Sequence, residues 1–129
     1  MKSPRDHALG LLDKAGHDLV AARATIVTGQ ALDTVCFHAQ QAVEKGLKAL
    51  LALQDVVYPW RHDLAELLEL VRGHYPNLQL PSDELLELSP YAVEARYDEA
   101  WAPDMQEARR ALDTAEQVHA LVQRVLALP

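Results

Sequence analysis

The stretch from Cys36 to Leu51, CFHAQQAVEKGLKALL, constrains the fold more than any other part of the chain. Cys36, Ala39, Val43, Gly46, Leu47 and Leu50 recur at steps of three and four, so a helix puts them on one apolar face. Gln41, Glu44, Lys45 and Lys48 recur at the same steps and form a neighbouring polar line, bordered by Gln40. A solvated, salt-bridged helix face has this pattern. So does a line whose lysines hold a phosphate while Glu44 takes an arginine from another helix. Gly46 points to close packing, because a glycine inside a helix costs about 1 kcal/mol against alanine. Something is expected to approach the backbone between Lys45 and Leu47.

The same periodicity recurs on both sides of this stretch. Leu12, Ala15, Leu19, Ala22 and Ile26 predict a first helix from about Arg5 to Thr28, stopped by Gly29. The second helix then runs from about Ala31 to Leu53, and so short a link makes the two antiparallel neighbours. The segment QDVVYPWR breaks the pattern and reads as an ordered loop. Asp63 and Glu66 have capping-box spacing and open a third helix at about His62, which Gly73 ends. Ser82 is a candidate N-cap for a fourth helix, with Leu85, Leu88, Ala92 and Ala95 on its buried side. Pro90 should kink or break that helix after Ser89. Asp104 and Glu107 open a fifth helix to about Leu126, striped by Ala108, Ala111, Ala115, Val118, Val122 and Val125. The expectation is an all-α, up-and-down antiparallel bundle of about five helices, forming one domain over residues 1–129.

Composition excludes several functions. The net charge of −7 argues against a general nucleic-acid surface and leaves RNA at most a weak partner. One cysteine forms no internal disulfide, the N-terminus has no signal-peptide core, and no apolar run approaches the roughly 20 residues of a membrane helix. A cytoplasmic protein without a membrane partner is expected. Cys36 lies on an apolar face and reads as an inert buried thiol.

Three clusters could carry chemistry. The first is the polar line on the second helix. The second is Arg61-His62-Asp63, since a His-Asp pair occurs in all-helical metal phosphohydrolases. Such sites need further ligands, and the spacing of His17, His38 and Asp98 supplies nothing specific, so Asp63 reads better as a helix cap and no metal is expected. The third is Arg96 with Tyr97 at the end of the fourth helix, where the arginine could cap carbonyls, reach Glu44 or meet a ligand phosphate. A partly buried Glu44–Arg96 pair, turning Lys45 and a surface Lys48 toward an anion, is the sharpest form of this expectation.

FHAQQAVEKGLKALL, then RHDLAELL, then ARYDEAW, in that order and at roughly those separations, resemble the HEPN family of helical domains (the higher eukaryotes and prokaryotes nucleotide-binding domain). The resemblance spans nearly the whole chain. It implies a prokaryotic helical bundle that pairs into a homodimer. It also implies a minimal nucleotidyltransferase as partner, the two forming a toxin–antitoxin-like pair. Matching polar positions, in or beside a groove proposed for nucleotide binding, are Gln41, Glu44, Lys45, Lys48, His62, Asp63, Arg96 and Tyr97. No cofactor is implied beyond a nucleotide ligand. Many relatives are metal-independent ribonucleases with an arginine followed, after four to six residues, by a histidine. Counted from Arg96, those places hold Trp101, Ala102 and Pro103, and no other arginine here has a histidine at that spacing. The general acid or base of RNA cleavage is missing from its place. The expected role is non-catalytic binding of a partner or nucleotide. A degenerate ribonuclease toxin and a purely structural dimeric adaptor are the alternatives.

Overall fold

The computed structural model describes residues 2–58 and 63–127, and the expectations for Arg61 and His62 lie outside the described residues. The helices are α1 (Pro4–Ile26), α2 (Leu32–Leu53), α3 (Leu64–His74), α4 (Ser82–Glu87), α5 (Tyr91–Tyr97) and α6 (Met105–Ala127). No strand occurs among the described residues.

Local chemistry sets the helix ends. Ser3 and Asp6 form a reciprocal capping box, with Ser3 Oγ accepting from Asp6 N at 3.0 Å and Asp6 Oδ2 accepting from Ser3 N at 3.2 Å. The α1–α2 link turns on Gly29 at φ 70° and on Ala31, which takes the left-handed φ of 52° despite its side chain. Asp63 caps α3 by accepting from Ala65 N at 3.0 Å, and Asp104 accepts from Glu107 N at 2.8 Å ahead of α6. The expected fourth helix is two segments, with Pro90 as the N-cap of α5. Ser82 does not cap α4: it is the first helical residue, and its hydroxyl accepts from Arg72 Nη2 at 2.5 Å and bonds Leu80 O.

α2 is the centre of the molecule and packs on α1, α3, α5 and α6. Both α2 and α6 run opposite to α1. Asp18 of α1 meets Lys45 of α2, and His7 meets Tyr58 just beyond the end of α2. Arg5 donates to Leu126 O at 2.6 Å, while Arg23 pairs with Glu116. The core is aliphatic and alanine-rich, including Leu19, Leu47, Leu50, Leu51, Leu67, Leu68 and Leu85. Gly46 faces α6, where an added methyl would lie 3.5 Å from Val122 Cγ2 and 3.7 Å from Val118 Cγ1. α6 does pack over Gly46, but at ordinary contact distances that leave room for alanine, so the close approach expected from the glycine is not required here. No described helix is long and apolar enough to cross a membrane.

Candidate functional site

The polar line on α2 is enclosed by its neighbours. Gln40 is fully buried and Glu44 is 2% exposed. Lys48 Nζ donates to Glu44 Oε2 at 3.0 Å, and only 13% of the Lys48 side chain is exposed. Gln40 Nε2 donates to Glu44 Oε1 at 3.3 Å, and Gln41 Nε2 donates to Gln40 Oε1 at 2.7 Å. The stem of Lys48 thus leads its ammonium to a carboxylate one turn back. The same ammonium lies 5.5 Å from the centre of the Tyr58 ring, a favourable cation–π distance.

Asp18 forms the second knot. This α1 carboxylate is 8% exposed, accepts from Lys45 Nζ at 2.5 Å through Oδ2, and bonds His38 Nδ1 at 2.8 Å through Oδ1. A buried carboxylate is tolerated only when charge and hydrogen bonds replace its water. Lys45 supplies the charge and His38 completes the shell.

Arg96 stands apart from both knots. The expected Glu44–Arg96 pair is absent from the ion pairs among the described residues. Lys48 takes Glu44 from one turn away on the same helix, a partner that needs no second helix to arrive. Arg96 is exposed at the end of α5, with its guanidinium 5.5 Å from the centre of the Phe37 ring and 5.7 Å from that of Tyr97. No carboxylate pairs with it among the described residues. Stacked on aromatic faces, it keeps its donors for another group.

A cleft of about 450 Å³ opens beside it, lined by Gln41, Asp63, Ser89, Ala92, Val93, Arg96 and Tyr97. α2 supplies Gln41, the cap of α3 supplies Asp63, the turn before α5 supplies Ser89, and α5 supplies the rest. The break at Pro90 matters here, because it sets α5 as a separate segment against α2. Of the eight sequence-expected positions, Gln41, Asp63, Arg96 and Tyr97 share this cleft. Glu44, Lys45 and Lys48 lie in the ion pairs beside it, and His62 is outside the described residues.

Asp18, His38 and Phe37 were missed as partners by reasoning from the sequence. Asp18 falls on the α2 side of α1, between Ala15 and Leu19, and an acidic residue interrupting an apolar stripe was the available signal. Cys36 is fully buried, and burial, with Glu107 and Asp33 adding, pushes its thiol up to about 12. It is inert for the reason expected. Among the described residues, no three His, Cys, Asp or Glu side chains are grouped to hold a metal.

A family model described as the HEPN domain matches residues 8–125. The fold is similar to the crystal structure of TT1696 from Thermus thermophilus, with a TM-score of 0.75, 29% identity, and coverage of 92% of this chain and 97% of that one. It is also similar to the crystal structure of an archaeal HEPN homologue, with a TM-score of 0.71, 22% identity, and coverage of 98% and 99%. No curated protein matches significantly.

Proposed function

The chain belongs to the HEPN family, and from that premise we propose that it is the non-catalytic, nucleotide-binding half of a toxin–antitoxin-like pair with a minimal nucleotidyltransferase, acting as a homodimer. One observation carries the binding role. Arg96 presents to an open cleft a cation that has no ion pair among the described residues, whereas the nearby lysines are neutralised by Asp18 and Glu44. A phosphate would meet the guanidinium as a fork of parallel donors. Tyr97, 72% exposed, offers a face on which a base could stack. Asp63 and the Gln41 amide give the polar groups that orient a base.

The non-catalytic role follows from the missing histidine after Arg96, since no proton carrier stands where RNA cleavage would use one. One observation favours the competing ribonuclease reading. Asp18 bonds His38 Nδ1, an arrangement that can orient an imidazole as a base. Labelled RNA incubated with the pure protein under single-turnover conditions separates them. RNA left intact is expected, and cleavage lost in His38→Ala or Arg96→Ala would establish the enzyme. For the partner, co-purification with the product of the adjacent gene, a minimal nucleotidyltransferase on this reading, is expected, and two proteins that elute apart would remove that half of the reading. For the homodimer, light scattering should give twice 14.3 kDa at micromolar concentration.

A further inference from the structure

α1 carries more apolar surface than the bundle uses. Its core stripe, Ala8, Ala15, Leu19, Ala22 and Ile26, is buried. Leu9, Gly16, Val20 and Val27 follow the same helical repeat on another face of the helix, about 100° round from the first. Leu9, Val20 and Val27 are 42%, 61% and 82% exposed. They are three of the seven exposed large hydrophobic side chains among the described residues, so the outer face of this one helix holds a disproportionate share. Between this face and α6 runs an open groove of about 480 Å³, walled by Leu9, Val20 and Arg23 and by His119 of α6. In that groove wall His119 Nδ1 is buried with no hydrogen-bond partner among the described residues.

The order of residues on this face is self-complementary about the level of Asp18. Leu9 and Val27 are equally far from it in opposite directions, and both are apolar. Asp13 and Arg23 are equally far and opposite in charge. Gly16 and Val20 are equally far, one without a side chain and the other branched. A two-fold interface places the same patch on both subunits, so residue i meets j and j meets i. Antiparallel α1 helices crossing at Asp18 would satisfy all three pairs at once, each of them twice.

We propose that two copies of this chain pack through the outer faces of α1, antiparallel, with Leu9 against the partner's Val27, Asp13 against the partner's Arg23, and Gly16 against the partner's Val20. Gly16 supplies a notch, because a methyl built there would meet only the His119 ring, at 3.8 Å. Arg23 bonds Glu116 of its own chain through Nε, which leaves other donors of the guanidinium for a second carboxylate. Among the described residues Asp13 has only a 3.7 Å contact, with exposed His17, so it is available. The helix edge at Gly16 also lets the two backbones approach closely. This seam rests on the homodimer reading above and adds to it the surface and the register.

Thiol cross-linking tests the register. Leu9→Cys and Val27→Cys proteins are prepared separately, mixed, and treated with a short bifunctional thiol reagent. Native Cys36 is fully buried and does not compete. Cross-linked dimer is expected from the mixture and little from either variant alone, because two position-9 thiols would lie about 27 Å apart along the helices. Val20→Glu, at an exposed site, should leave the melting temperature unchanged at concentrations where the parent is monomeric and raise the dimer dissociation constant on the order of tenfold or more, as an unpaired charge enters the seam. A dimer that cross-links no better in the mixture than alone, and that survives Val20→Glu, overturns the seam while the homodimer stands. A parent protein that scatters only as a monomer overturns both.

Discussion

The cations along α2 and the cation at the end of α5 meet opposite fates. Lys45 and Lys48 lie against carboxylates that are nearly buried, and their side chains are 28% and 13% exposed. Arg96 sits on aromatic rings with its outer face in solvent. The difference lies in the partners each position can reach. Lys48 finds Glu44 one turn back on its own helix, and Lys45 finds Asp18 across the most extensive helix–helix contact among the described residues. The short α5 brings Arg96 to Phe37 and no carboxylate among the described residues. A line of polar residues at helical spacing can therefore be mostly mortar, while a neighbouring cation stays open to solvent.

The largest expected effect breaks the enclosed side of this comparison. Glu44→Ala leaves the Lys48 ammonium in a nearly closed space, and removing one member of a buried pair costs about 3–5 kcal/mol. A fall in melting temperature of roughly 10–20 °C follows. Lys48→Ala should fall in the same direction, which corrects the expectation of a surface lysine whose loss is silent. Replacing both, as in Glu44→Leu with Lys48→Met, should recover much of the loss, since an apolar pair of similar size removes the desolvation cost. If all three variants melt like the parent, the pair is solvated and the comparison collapses.

Next in size is Asp18→Asn. It keeps the shape but removes the charge facing Lys45, whose side chain retains a route to water, so about 1–3 kcal/mol is expected. A double-mutant cycle with Lys45→Met measures the coupling, and a coupling near zero would place Lys45 in solvent. Smaller and opposite in sign is Gly46→Ala on the apolar side of α2. The new methyl would meet Val118 and Val122 at ordinary distances, and the helix gains up to about 1 kcal/mol. A destabilised Gly46→Ala would mean that α2 and α6 pack more tightly than those distances imply.

Much of the fold could be read from the sequence because its causes are local. Pro90 divides α4 from α5 whatever surrounds it, and the carboxylates of Asp63 and Asp104 accept from backbone N–H groups two and three residues on. Ser82 failed as a cap because Arg72, ten residues earlier, takes its hydroxyl, a contact that exists only once α3 and α4 pack. The Ser3-x-x-Asp6 box was there to be read and was missed behind Pro4. The site divides in the same way. Helical spacing put Gln41, Glu44, Lys45 and Lys48 on adjoining faces, and the Glu44–Lys48 pair is itself a spacing effect. The Asp18–Lys45 pair and the Phe37–Arg96 stack depend on which helices become neighbours and at what register, and periodicity does not carry that information.

Arg96→Ala gives the smallest expected effect on stability and the largest on binding. Arg96 is exposed and has no ion pair among the described residues, so its loss should move the melting temperature by less than about 3 °C. Titration of a fluorescent purine nucleotide into parent and Arg96→Ala protein, with melts of the same samples, tests the division between brace and cleft most directly. Saturable binding by the parent, weakened by a factor of about ten or more in the variant at nearly unchanged melting temperature, is the expected result. Equal nucleotide affinity in the two proteins would contradict it and remove Arg96 from the site.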